Sequence, residues 1–487
     1  MGAIDDIKDI LRGALASLGG FGGRMLARLV LMLVAGHLYG AASLGLLGQV
    51  AALTEIIAAA ATMGLKRTLL DLLSGKEAEE QALKIIKEAL MAALLAAFVG
   101  AFLLAALWPL LFPAPSMPLL LLGAIPSIVI AEVGGAAIRF KRIIRWEVIA
   151  RCVFEPWGFL LGALTFYYTG LTETGLVAAY AFSCVMAACG ILIGLHKVFG
   201  ARALIGATFN PTALYRIPLY SLPAGITDMG VMMFRRLDIL ILSTVAGHDT
   251  TGIYYMAQQI VTIPHKIHQL FDPMITPVIA RLHHGLKRDV IAAKLAGFCR
   301  WTFTLQLALT VPIAIFGDHL MALFGDQFAS GAIVLAFLLF AELMDGSFAL
   351  TETTLLFARP GLPPRLVSTA LAIEILTVAG LASLWGETGA AIAFAIAMSS
   401  LALARLFFIK QQLGIRIIGV PFMPPIIIAF LVGGGLLAFR LYVPAFAADV
   451  FGLLLPAAIC CFLLLVRLKG LTPLDREVVK QLRSGSS

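Results

Sequence analysis

Uninterrupted apolar runs, each about as long as a bilayer is thick, recur from one end of this chain to the other and leave it few possible folds. Stretches such as Ala89–Leu107 and Leu119–Ala131 are apolar on every face. Barrel strands would alternate, and the helices of a soluble domain would be apolar on one side only. A segment surrounded by hydrocarbon must satisfy its own backbone polar groups, which leaves the α-helix. Charged residues make up 13% of the 487 residues, against about 25% in an ordinary soluble domain. An all-α integral membrane protein is therefore expected.

A crossing needs about 20 apolar residues. With Gly, Pro and charge clusters as boundaries, about fourteen spans are expected, at 13–36, 44–64, 88–108, 118–138, 147–168, 174–195, 217–245, 253–280, 295–316, 330–357, 366–385, 389–408, 420–441 and 450–466. The placement of Lys and Arg supports this map, because cytoplasmic loops collect them. With the N-terminus in the cytoplasm, 27 of the 36 basic residues fall in loops on that side, and the seven opposite loops hold none. A multi-pass protein of a cytoplasmic (inner) membrane with both termini cytoplasmic is expected. The net charge of +8 is then a topological signal and gives no reason to expect nucleic acid.

Outer loops such as Tyr168–Thr174 and Gly247–Thr251 are short, which weighs against a glycosyltransferase, a polymerase or a receptor with a sensor module. No nucleophile elbow, phosphate-binding glycine loop or HExxH pattern occurs, so the sequence gives no support for catalysis. The six cysteines lie in apolar segments without CxxC or Cys/His spacing, and neither disulfides nor a metal site is expected. Met1–Leu11 is polar and mixed in charge, unlike a cleavable signal.

An internal repeat is visible. Val34-Ala35-Gly36-His37 followed by Leu44-Gly45 and Gln49 matches Val245-Ala246-Gly247-His248 followed by Thr251-Gly252 and Gln258, with a four-residue insertion in the loop. Two pseudo-symmetric six-helix lobes, 1–200 and 201–415, with a final helix pair and tail in 416–487, are the simplest organisation. Repeats meeting at a central site are a common transporter design.

Charges inside spans are costly and face a bundle interior or a wet cavity. Arg24 and Arg28 share one helix face of the first span and suit a pyrophosphate, because guanidinium forks match phosphate oxygens; placement at the cytoplasmic interface is the plainer alternative. In the seventh span Asp228, Arg235 and Asp238 fall within about 80° of one another, with Arg236 beside them. The eighth carries His265, His268 and Asp272 on a second face, with Lys266 turned away, and the tenth carries Glu342, Asp345 and Glu352 on a third. Three polar faces suggest a water-filled cavity; salt bridges that only hold the bundle together are the alternative. Glu55, Glu132, Glu155 and Glu374 could each couple an ion or pair with an arginine. Arg151, Arg300 and Arg405 are expected to snorkel to the cytoplasmic interface, and Arg440 to lie at the outer one.

Arg236-Leu237-Asp238-Ile239-Leu240-Ile241-Leu242 with Gly252-Ile253-Tyr254 and Ala257 resembles the central signature of the polysaccharide flippases of the multidrug/oligosaccharidyl-lipid/polysaccharide exporter superfamily. Leu323-Phe324-Gly325-Asp326-Gln327-Phe328 with Gly331 is similar to another of its segments. His37-Leu38-Tyr39-Gly40 resembles its first hairpin, Gly64-Leu65-Lys66-Arg67 the end of its second helix, and Leu471-Thr472-Pro473-Leu474-Asp475-Arg476 a common ending. The resemblance implies a V-shaped carrier that moves a polyprenyl-pyrophosphate-linked oligosaccharide by alternating access while the lipid tail stays among membrane lipid. It implies Arg24, Arg28, Arg235, Arg236 and Lys266 as substrate-binding residues. Asp228, Asp238, His265, His268, Asp272, Glu342 and Asp345 would serve the cavity or a coupling ion, either H+ or Na+, with no other cofactor. A polysaccharide polymerase and glycosyltransferases are the implied partners. The final helix pair resembles that of the fourteen-span branch, which includes lipid II flippases, but the first hairpin lacks their charged FG…DAF-like pattern. Export of O-antigen, exopolysaccharide or a similar unit is therefore expected, with a lipid II flippase or an ion-coupled multidrug exporter as alternatives.

Overall fold

The computed structural model describes residues 22–74, 79–111, 118–141, 143, 145–284, 288–359 and 361–470; the side chains of 110–111, 118–119, 121, 268–284, 288–291, 444–449 and 470 lie outside the description. Among the described residues the regular structure is entirely helical. Ten of the helices are long and apolar enough to cross a membrane, so the chain is a multi-pass helical membrane protein.

Gly22–Leu73 and Leu362–Leu413 each run to 52 residues. A straight helix of that length would measure about 78 Å, more than twice the hydrocarbon thickness. Both are broken, the first at Gly40 (φ 82°, ψ −176°) and the second at Trp385–Gly386 (Gly386 φ 55°). The 72-residue Ala213–His284 is broken at Gly247 (φ 82°, ψ 177°). Each break uses a positive φ that glycine alone adopts cheaply. Numbered by these breaks, the long helices are α1 (22–39), α2 (Gly40–Thr62), α3 (Glu79–Leu111), α4 (Pro118–Phe140), α5 (Arg145–Tyr168), α6 (Gly175–Phe199) and α7 (213–246). They continue as α8 (248–284), α9 (Arg288–Ile315), α10 (Ala332–Ala358), α11 (362–385), α12 (387–413), α13 (Met423–Tyr442) and α14 (Pro444–Leu465). They follow the order of the expected spans, but 213–284, where the seventh and eighth are expected, is not among the ten helices long and apolar enough to cross.

By packing, the chain divides into Met1–Gly252 and Ile253–Ser487. In the first unit α6 packs on both α4 and α5, and α3 packs on α4. Ile86, Ala89, Ala93, Ala97, Ala101, Leu104 and Trp108 form a buried stripe along α3 at helical spacing. In α5 the turn Ala150–Phe154 is π-helical, just before Pro156. Pro156 has no N–H for the carbonyl one turn earlier, and a widened turn accommodates its ring. In the second unit α10 packs most extensively on the Leu362–Leu413 pair and on α9. The final pair is held to α9 and α10 by Leu307, Ala308, Leu343, Ile428, Ala429 and Phe462.

The repeat differs in register from its sequence reading. Gly40 and Gly247 have matching dihedrals, and each stands five residues before Gly45 or Gly252, so the structural equivalence needs no insertion. The Val-Ala-Gly-His motifs fall at different points of the two reversals, because a positive φ places the reversal and a short motif does not. Gly45 and Gly252 also meet. A Cβ on Gly45 would overlap the carbonyl of His248, and one on Gly252 the carbonyl of Ala41. Each carbonyl lies four residues before the opposite glycine, so α2 and the first turn of α8 cross backbone to backbone about a local pseudo-two-fold.

Candidate functional site

In the first unit, five helices bring their intramembrane charges together. Arg151 of α5 donates from Nη2 to Glu132 Oε1 of α4 at 2.7 Å and from Nη1 to Glu155 Oε2 at 3.5 Å. Arg24 of α1 reaches the other oxygen of Glu155 at 3.9 Å. Arg236 of α7 donates from Nε to Glu55 Oε2 of α2 at 2.8 Å. Beside Glu55, the hydroxyls of Thr54 and Tyr180 are 3.3 Å apart. A carboxylate in a span is held ionised only by such partners. The arginines are not sealed away: the Arg24 side chain is 41% exposed in α1, and Arg235 is exposed in α7. Arg28 is half-buried one turn after Arg24. An apolar cavity of about 320 Å³ lies between α5 and α6 directly after the π-helical turn, lined by Phe154, Trp157, Leu161 and Phe182 among others.

The helix α7 and the start of α8 are joined to α2 and the segment just after it at several heights. At one end His248 Nε2 and Gln49 Oε1 are 3.0 Å apart, and Glu55–Arg236 follows. At the other end Gly64 and Gly225 bring the two backbones into contact, since a Cβ on either would overlap the other segment's main chain. Arg67 pairs there with buried Asp228 at 2.9 Å. Asp238, fully buried, accepts the N–H of Ile239 at 2.8 Å. The narrow face expected for Asp228, Arg235 and Asp238 is thus divided, with two buried acids and an exposed arginine. His248 sits in the reversal between α7 and α8, half-buried, where burial lowers its pKa below the ordinary value despite Asp249 beside it.

In the second unit His265 of α8 places Nδ1 at 2.9 Å from both Oε1 and Oε2 of Glu342 on α10. Asp345 and Glu352, on the same helix, both accept hydrogen bonds from Arg405 of α12, the first at 2.6 Å. Lys266 is partly buried. The side chains of His268 and Asp272 lie outside the described residues.

Three sequence expectations are corrected here. Arg405 and Arg300 are each 6% exposed and do not snorkel, and Arg151 is drawn inward by Glu132 and Glu155. For Arg405 and Arg151, nearby carboxylates outcompete the distant interface. Arg440 at the opposite end of α13 donates to Asp318 and to the Ile315 carbonyl. Burial opposes ionisation of Asp318, but hydrogen bonds from His319 and the Arg440 charge outweigh it and hold the carboxyl below its ordinary pKa. The sequence reading missed that Glu132 and Arg151 belong with Arg24. The Arg151/Glu155 spacing of four, ending just before Pro156, was the available signal.

No family model and no curated protein matches the chain. Solved structures do. A lipid II flippase, MurJ, in an inward closed conformation aligns over 96% of this chain and 100% of its own, at a TM-score of 0.75 and 13% identity. An inward-facing multidrug resistance MATE family transporter of the MOP superfamily covers 80% of this chain and 98% of its own, at 0.60 and 16%. A MOP superfamily transporter from Pyrococcus furiosus, described by a binding pocket of reversed polarity, covers 83% and 95%, at 0.57 and 15%. At such identities the likeness is one of backbone architecture, and this chain shares the fold of these solved transporters.

Proposed function

We propose that this protein is a flippase that moves a polyprenyl-pyrophosphate-linked oligosaccharide from the inner to the outer leaflet of the cytoplasmic membrane. The observation that carries this reading is the exposure of Arg24 in α1 and Arg235 in α7. A guanidinium left open on such a helix can take an anionic ligand beside its protein partners, and a pyrophosphate offers the matching oxygens. The Arg24–Glu155 separation of 3.9 Å is loose enough for a phosphate to compete with the carboxylate. The apolar cavity beside the same stretch of α5 gives a hydrocarbon chain a place next to the charges. An organic cation would meet like charge at the exposed arginines, which disfavours multidrug export.

Lipid II is a second reading within the same chemistry, favoured by the near-complete overlap with the flippase named for it. Depleting the protein and analysing extracted polyprenyl-linked saccharides by mass separates the two. A polymer repeat unit that accumulates identifies a surface-polysaccharide cargo, and accumulated lipid II identifies the other. Replacing Arg24 and Arg235 together by Ala should reproduce the accumulation. An unchanged lipid-linked pool on depletion would refute the proposal.

A further inference from the structure

We infer that His265 and Glu342 form a proton-binding site that supplies the coupling proton for transport, an assignment that rests on the transport reading for its consequence but not for its test. Both residues are buried, at 8% and 9% exposure. Nδ1 of His265 sits 2.9 Å from each Oε of Glu342, so one proton lies between an imidazole and a carboxylate. Adding or removing that proton changes the charge of the pair by one unit in a place with little water to screen it. Histidine is the side chain whose ordinary titration range spans physiological pH, and a buried partner carboxylate ties its charge to the local structure.

The surroundings are built for this pair. Gln306 of α9 has no exposure, and its orientation is fixed because Ser347 donates to its Oε1 at 2.9 Å. Its Nε2 therefore faces the Pro264 carbonyl at 3.4 Å and the Glu342 side. Gly346, one turn from Glu342, makes that approach possible: a Cβ there would fall 2.8 Å from Glu342 Oε1 and would overlap Gln306 Nε2. Among the described residues, the charged groups on the packed helices include Lys266 on α8, Lys294 and buried Arg300 on α9, Asp345 and Glu352 held by Arg405, and Arg365 and Glu374 on α11. His265 directly follows Pro264, which removes a backbone donor from α8 and weakens the hydrogen-bond ladder there. A proton gained or lost at His265 thus acts beside an interruption in the α8 ladder.

Infrared difference spectra of the purified full-length protein in lipid, recorded between about pH 5 and pH 8 where histidine ordinarily changes charge, test the site without any cargo. Carboxyl and imidazole bands present in the wild type should vanish in both Glu342→Gln and His265→Gln. Gly346→Ala, which leaves both titrating groups in place, should shift the same bands. The wild-type spectrum should be the same in sodium and in choline buffer. Bands retained in all three variants, or bands that follow sodium instead of pH, would overturn the assignment. In cells, Glu342→Gln should accumulate the lipid-linked saccharide that depletion accumulates. Loss of the bands without accumulation would show that this proton is not the coupling one. If depletion itself accumulates nothing, the flippase reading fails while the spectra still decide the site.

Discussion

Replacing Gly45 by Ala tests the backbone crossing of α2 with the first turn of α8. In the interior of a helix the change from Gly to Ala ordinarily stabilises by about 0.5–1 kcal/mol. At Gly45 the new methyl would overlap the carbonyl of His248 and crowd the amide of Gly252 at 2.9 Å. Neither neighbour is a side chain that can rotate aside, so the two helices must separate. Overpacking of this kind costs about 1–3 kcal/mol, and the net expectation is a loss of about 1–2 kcal/mol. Gly230→Ala is the internal control, since nothing lies within 4 Å of a Cβ at that position in α7. Thermal denaturation of the purified variants, followed by helix signal in one detergent, gives the comparison. Gly45→Ala should melt below wild type and Gly230→Ala at or above it. Gly252→Ala should match Gly45→Ala, and the double variant should lose less than the sum, because the first substitution has already opened the crossing. Equal melting of Gly45→Ala and Gly230→Ala would refute the close approach.

Arg405→Leu would leave Asp345 and Glu352 without the guanidinium they share, a change of about 3–5 kcal/mol for a broken buried pair; expression level and melting temperature report it, and a snorkelling arginine would change neither. His248 gives a pH signature. Its pKa is lowered by burial, so the folded protein binds fewer protons than the unfolded chain once the pH drops below about 6.5. Stability present above that pH should decline as it falls toward the folded-state value. His248→Gln should flatten this acid limb of the melting-temperature profile, and an unchanged limb would place the titration elsewhere.

The helices were legible because lipid imposes a length and a polarity on each of them, and the basic loops mark their order independently. The breaks at Gly40, Gly247 and Gly386 were less visible, since a glycine at positive φ reads in sequence like any of the 46 glycines. The intramembrane residues were identifiable as unusual one by one, but not as partners. Helical spacing shows that Arg24 and Arg28 share a face; it says nothing of Glu155, 131 positions further on in another helix. For the same reason Arg405 looked interfacial: its depth could be estimated from the span limits, whereas Asp345 and Glu352 reach it only through packing of α10 on α12.

The line dividing the chain at Gly252–Ile253 falls one turn inside α8 and not in a loop. In mechanical terms there is no slack at that joint. The segment around 200–212, which a reader of the sequence would choose as the connector, lies wholly on one side of the division, and α7 and the start of α8 beyond it are pinned to α2 and the segment just after it by Gln49, Glu55, Gly64 and Arg67. At the division the chain itself is a stiff helical rod. Such a rod yields where its hydrogen-bond ladder is interrupted, and Pro264 is the first interruption beyond the division. Pro264→Ala would restore the missing backbone donor and stiffen that stretch of α8 without touching a charge.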